Sequence, residues 1–315
     1  MTQSRQVVKK MITALAGGVG AARFLTGLVK LVKEEDLTVV VNTGDDIELY
    51  GLHISPDIDI VSYTLAGIVD EEKGWGIQGD TFRGLEALKK LGNEAWFTLG
   101  DADLATHMFR TNLLKKELKL SEVTALITKA LGLKVKILPM TDDRFETRIL
   151  TKDGLIHFEE YFVKNSSKDE VLGVEFIGAD TAKPALGVVE AILSSELLVV
   201  CPSNPVVSIG TILAVGGIRE ALRQTNAQTV AISPIVGGAP IKGPADKLLK
   251  ALGFEVSAYS VAKLYADFLD TFVIDTVDAS EKGRIEELGI EVRITNTIMR
   301  TLDDKVALAK TVLES

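Results

Sequence analysis

The sequence predicts an α/β protein: a Rossmann-like, mostly parallel sheet with helices on both faces and an inserted helical and hairpin subdomain. Three observations carry this. Short apolar runs alternate with helix-period stretches. Glycine- or proline-rich segments follow those runs at their carboxyl ends. A hairpin signal stands mid-chain, where the alternation lapses.

Ile12–Ala16 reads as the first buried strand, and Gly17-Gly18-Val19-Gly20 as the turn into a helix with apolar spacing Phe24, Leu28, Leu31, Val32. Leu37–Val41 is the second strand, and Ser55-Pro56 opens the next helix. Between about 85 and 195 the alternation breaks. There Glu146–Leu150 and Ile156–Val163 flank Lys152-Asp153-Gly154, whose Asp-Gly pair suits a tight hairpin. Strands resume at Leu197–Cys201, Thr229–Ser233 and Phe272–Asp275, separated by helical patterns at Ile209–Arg223 and Ala245–Leu252. The expected organisation is a disordered leader over 1–10, then a single domain over 11–315 with an insertion at about 85–195 packed beside the sheet and a cleft between them.

The chain has 315 residues, 46% of them hydrophobic, which excludes a disordered or collagen-like polymer. Its 44 acidic and 35 basic residues give a net charge of −9, which argues against a nucleic-acid strand binder. One cysteine, Cys201, permits no intrachain disulfide and no zinc site of four sulfurs or of three sulfurs and a histidine. A cytoplasmic protein is expected. Arg5, Lys9 and Lys10 before Met11–Ala22 imitate a secretory signal, but three glycines interrupt the apolar run and a helical pattern follows. No stretch of ~20 apolar residues predicts a membrane span.

Four segments carry candidate chemistry. At Gly17-Gly18-Val19-Gly20 backbone N–H groups and a helix N-terminus suit a phosphate, or the glycines serve a tight strand-to-helix crossover. The absence of Gly-Lys-Ser/Thr excludes a Walker loop. Arg23 in place of the third glycine, and Asn42 in place of a ribose-binding acid, weaken a nicotinamide site. Arg23 could instead support a diphosphate. The second segment, Asn42-Thr43-Gly44-Asp45-Asp46 with Ser55-Pro56-Asp57-Ile58-Asp59, places four carboxylates on the rim shared by adjacent parallel strands, and carboxylates beside phosphates call for magnesium. Each pair also has a plain reading, as a turn or as acids at a helix start. The third, Pro202-Ser203-Asn204-Pro205 through Ser208, offers hydroxyl and amide groups to a nucleotide or forms a structural turn. The fourth, Ser233 to Ala245, is a long aperiodic loop of the functional kind. Trp75 and Phe82 stand among glycines that suit a flat heterocycle or a core cap. His107 is expected to be structural, His53 and His157 lack partners at metal-ligand spacing, and Cys201 is expected to be inert.

Together these segments, with Leu99-Gly100-Asp101 and Ala105-Thr106-His107, resemble the 2-phospho-L-lactate transferase family of deazaflavin coenzyme F-420 assembly. The resemblance runs from about Ile12 to beyond Asp270. It implies transfer of a 2-phospholactyl or phosphoenolpyruvyl group from a guanosine diphosphate-linked donor to the ribityl hydroxyl of 7,8-didemethyl-8-hydroxy-5-deazariboflavin, with release of GMP and dependence on magnesium. It implies Asp59 and Thr98, with Trp75, at the acceptor, and Gly17, Gly18, Gly20, Asn42, Ser203, Asn204 and Ser208 at the donor nucleotide. Asp45, Asp46 and Asp59 are then the catalytic candidates, and Asp45, Asp57 and Asp59 the metal candidates. A homodimer is expected by analogy. The competing expectation is a non-catalytic nucleotide-sugar-binding regulator of the gluconeogenesis-factor type, similar around the glycine turn and Asn-x-Gly-Asp-Asp; a nicotinamide dehydrogenase stands third.

Overall fold

A computed structural model describes residues 11–315; the expected leader over 1–10 lies outside the described residues. Seven parallel strands form the central sheet: β1 (Ile12–Ala16), β2 (Leu37–Val41), β3 (Lys136–Pro139), β4 (Leu197–Val200), β5 (Gln228–Ile232), β6 (Thr271–Asp275) and β7 (Glu291–Thr295). Their order across the sheet is β7-β6-β5-β4-β1-β2-β3. The order reverses between β1 and β4, the switch point beside which doubly wound sheets bind ligands.

Because successive side chains of a strand face opposite ways, each strand feeds two cores. Ala14, Ala16, Val39, Val41 and Val199 pack beneath Phe24, Leu25 and Leu28 of helix α1 (Gly18–Leu28), Ile58 and Val61 of α2 (Pro56–Leu65), and the C-terminal helix Leu302–Leu313. Each of these α1 side chains contributes about 1.5–3 kcal/mol by burial. On the other face Leu15, Val40, Val200, Ala231 and Phe272 meet Ile209, Ile212, Ile218, Leu248 and Val261, together with Ile149, Phe158 and Tyr161.

Register positions the site. Ala16 is level with Val41, and Leu15 with Val200. Gly17 and Asn42 therefore leave the sheet side by side, with Cys201 one position behind them beside Ala16, and the Asn42 and Cys201 amides still donate to Ala16 and Leu15 at 3.0 Å.

Three expectations need correction, and one element went unpredicted. The interval 85–195 is not one excursion, because β3 returns within it to pair with β2. Ile156–Val163 is a strand only through His157 (Gly154–His157); a single π-helical turn, Glu160–Lys164, follows and drops Tyr161 into the core. Ile209–Arg223 is two helices, Ile209–Ala214 and Ile218–Gln224, broken where Gly217 adopts φ +95° and its N–H donates to Glu220. A hairpin, Ile47–Leu49 with Leu52–Ile54, follows Asp46 without a sequence signal. Its Tyr50-Gly51 turn has positive φ at both residues, which fits the twist of paired strands. The expected hairpin at Lys152-Asp153 does form, and Gly173–Ile177 joins it as a third antiparallel strand.

Candidate functional site

The first corner is built by close approach. Gly18 has φ +69°, and a Cβ on Gly20 would lie 2.3 Å from the carbonyl oxygen of Pro202. This lets α1 press against the loop after β4, where Ser203 Oγ accepts the Gly17 N–H at 3.2 Å. The Gly18 N–H donates to Asp57 Oδ1 at 2.8 Å. A carboxylate from the neighbouring corner thus occupies the amide expected to hold phosphate. The N–H groups of Val19 and Gly20 belong to the helix's first turn, which an α-helix leaves without intrahelical partners.

Asn42 is the centre of the second corner and is fully buried. Its Nδ2 donates to Asp57 Oδ2 at 2.9 Å, to Asp45 Oδ2 at 3.1 Å and to the Val207 carbonyl at 3.2 Å. Its Oδ1 accepts the Gly44 N–H at 2.8 Å and the Thr211 hydroxyl at 2.6 Å. Every polar atom of Asn42 is engaged inside the protein, so it orients carboxylates rather than reaching out to a nucleotide. Asn204 Oδ1 likewise accepts the amides of Val206 and Val207, fixing its own turn. Ser208 and Ser203 are both buried, and Ser208 lies against Gly17.

Asp45, Asp57 and Glu159 are buried together, with Asp46 beside them. Loss of hydration raises the carboxyl of Asp57 to about 6, against the hydrogen bonds from Asn42 and Gly18, with Asp46 adding repulsion. Burial, then the charges of Asp57 and Asp46, raise Glu159 to about 8. Asp45 is raised well above the ordinary carboxylate value, by burial first and then by Asp57, Glu159 and Asp46. Oδ1 of Asp45, Oδ1 of Asp46 and the Thr43 hydroxyl are buried without a partner among the described residues. Asp46 Oδ2 is held by His53 Nε2 at 2.9 Å and the Ser55 hydroxyl at 2.7 Å. His157 donates Nε2–H to the Asp46 carbonyl at 3.1 Å while its Nδ1 accepts the Glu159 N–H at 3.1 Å, which fixes its neutral tautomer.

Glu159 and His157 arrive from the hairpin, far along the chain. Nothing in Phe158-Glu159-Glu160 distinguishes this acid from a surface one.

Asp59 is not placed with Asp45 and Asp57, contrary to its expected share in one metal site. Residues two apart on a helix point about 200° apart, and Asp59 turns toward α4 (Asp101–Leu114). Arg110 clasps it with both terminal nitrogens, Nη1 to Oδ2 at 3.0 Å and Nη2 to Oδ1. His107 Nδ1 lies 3.1 Å from Arg110 Nη1, and its Nε2 is 3.3 Å from Asp103, which accepts the Tyr63 hydroxyl at 2.8 Å. Oxygen and nitrogen atoms of Asp59, Asp103 and His107 lie within 4.8 Å of one another, but Arg110 already supplies Asp59 with a cation. His107 is buried inside this cluster, and its Nε2 has no hydrogen-bond partner among the described residues.

Trp75 is 39% exposed, and the Lys73 amine stands 5.9 Å from its ring and 5.3 Å from that of Phe82. Asp80 caps α4 by accepting the Ala102 and Asp103 amides. Thr98 is exposed just before this helix. The buried thiol of Cys201 is raised far above its ordinary value, consistent with an inert role.

A family model described as 2-phospho-L-lactate transferase CofD matches residues 12–307. The phosphoenolpyruvate transferase of Streptomyces griseus is 47% identical over 309 residues, covering 96% of this chain and 97% of the relative. The 2-phospho-L-lactate transferase of Methanocaldococcus jannaschii is 47% identical over 308 residues, with the same coverage. A solved structure of a UPF0052 family member from Bacillus halodurans aligns with TM-score 0.67 at 16% identity over 96% of this chain and 98% of that one, a likeness of fold. With its glycine corner and carboxylate corner joined at Gly18 and Asp57, and with relatives matched over almost their full length, the chain belongs to the 2-phospho-L-lactate transferase CofD family.

Proposed function

We propose that the chain transfers a 2-phospholactyl or phosphoenolpyruvyl group from a guanosine diphosphate-linked donor to the ribityl hydroxyl of 7,8-didemethyl-8-hydroxy-5-deazariboflavin, releasing GMP. One observation carries the reading: buried carboxylates with unpartnered oxygens surround an anion-suited corner. Alone, such a cluster repels itself; a divalent cation bound there would offset part of that repulsion and draw a diphosphate to the same place. Asp45 and Asp57 offer oxygen donors of the kind magnesium prefers, and Asn42 orients both. Bound there, magnesium would neutralise charge on the phosphoryl oxygens.

The chain's own residues do the rest. The acceptor hydroxyl oxygen forms a bond to the phosphorus that carries the three-carbon acid, and the bond from that phosphorus to the GMP oxygen breaks. The hydroxyl proton leaves to a carboxylate, for which Asp46 is the candidate because its Oδ1 is unpartnered. Ser203 and Ser208 face the donor beside Gly17. Asp59, Thr98 and Trp75 are proposed on the acceptor side, where Asp59 would act from within its clasp with Arg110. The reading carries with it a cytoplasmic location and a homodimer, which fractionation and sedimentation would read. Among the described residues no helix is long and apolar enough to cross a membrane.

The test is direct: purified protein with magnesium, the deazaflavin and the guanosine diphosphate-linked donor should yield GMP and the phosphodiester product in equal amounts. No product with either three-carbon donor, together with tight binding of a UDP-sugar, would replace this reading with the regulatory one.

A further inference from the structure

The carboxylates account for one side of the rim. Two cations stand by the helix that opens at the glycine corner. Arg23 lies one turn beyond Val19 on α1, so their side chains share a helix face. Val19 Cγ1 is 3.9 Å from the point where a Cβ on Gly74 would stand, and Lys242 Nζ is 3.3 Å from that same point. Lys242 comes from the long loop after β5, and Gly74 from the segment that leads to Trp75. Three distant stretches therefore bring an ammonium group up to the face of α1 that carries Arg23. Among the described residues neither cation has an ion-pair partner or donates a side-chain hydrogen bond, although most other buried or half-buried arginines do. The charge acting on Lys242 is that of Arg23: loss of hydration and this repulsion both lower the ammonium below its ordinary value, with no carboxylate to offset them. Two like charges gathered beside the unpaired amides of Val19 and Gly20 need an anion.

We propose that Arg23 and Lys242 grip the donor's diphosphate from the side opposite Asp45 and Asp57, so that the diphosphate lies between a cation pair and the carboxylate cluster. This rests on the transfer reading for the identity of the anion, but the site itself does not. Lys242 is exposed at the end of a loop, and Arg23 is half-buried at the helix surface, so both can close on a ligand without repacking either core.

The probes are GDP and inorganic pyrophosphate, titrated calorimetrically in magnesium buffer against the intact protein and against Arg23→Gln, Lys242→Gln and the double variant. Each single change should weaken GDP binding by about tenfold or more, as loss of a hydrogen bond to a charged group implies. The intact protein should lose affinity with rising salt more steeply than the double variant. In steady state the donor KM should rise with the acceptor KM unchanged, and Arg23→Lys should recover part of the loss. GDP affinity unchanged in both single variants overturns the proposal while leaving the transfer reading in place. Pyrophosphate binding that the variants weaken, with no GDP binding by the intact protein, would support the anion site and remove the guanosine donor. Binding of neither probe overturns both.

Discussion

Asp57 Oδ1 accepts the backbone N–H of Gly18 at 2.8 Å, while Asp57 Oδ2 accepts Asn42 Nδ2 at 2.9 Å. One carboxylate therefore ties the corner after β1 to the corner after β2. The helix N-terminus that would attract a phosphate is partly satisfied by an acid that is also proposed to hold the magnesium. Donor and metal are thus expected to bind interdependently.

Replacing Asp57 by Asn should reduce turnover by about 10²- to 10³-fold, the range seen when one charge-stabilising group is lost. The melting temperature of the metal-free protein should change little, because relief of repulsion among buried carboxylates offsets the loss of one of the two hydrogen bonds that Asp57 accepts from Gly18 and Asn42. A simple activity assay and a melt in EDTA decide this; a large fall in melting temperature would mean that Asp57 is mainly structural.

Asn42→Ala removes the amide that aims Asp45 and Asp57. Loss of such an outer partner costs about 10- to 100-fold in metal affinity or activity. Manganese titration followed by electron paramagnetic resonance reads it, and unchanged manganese affinity would place the cation elsewhere.

Gly20→Ala puts a methyl group 2.3 Å from the Pro202 carbonyl oxygen. Overpacking of this kind costs about 1–3 kcal/mol, to be measured as a lower urea midpoint with an unchanged slope. Donor affinity should fall as well, because α1 and the Ser203 loop are forced apart.

Arg110→Ala leaves Asp59 buried without its partner, a change that costs about 3–5 kcal/mol. Changing both together, Asp59→Leu with Arg110→Met, should restore most of that stability. If Asp59 holds the acceptor, the double variant stays inactive although it is folded; full activity would move the acceptor away from Asp59.

His157 is depressed below its ordinary value, by burial first and then by Arg148, against the pull of its bond to the Asp46 carbonyl. In the folded protein it stays neutral where the unfolded chain already takes up a proton. Its contribution to stability is therefore present above pH 6.5 and is lost as pH falls from there through its folded value. His157→Gln should flatten this part of the stability profile, measured by urea unfolding across pH 5–7.5.

The sequence by itself determined the architecture and the rim. Ile12–Ala16 and Leu37–Val41 stand as strands at the predicted residues, because apolar runs and turn glycines are local signals. The loops that follow adjacent parallel strands must share an edge, so the meeting of Gly18 with the Asn42–Asp57 segment was legible, as was the family. Only the tertiary structure decided which side chains converge. Asp57 and Asp59 are near neighbours in sequence but face opposite ways, and the helix period that separates them is overridden by no sequence motif. Arg110, Glu159 and Lys242 reach the rim from 51, 102 and 185 residues beyond Asp59, Asp57 and Asp57 respectively. Their side chains carry no local pattern that announces a partner; only the packing of separate elements around the sheet brings them there.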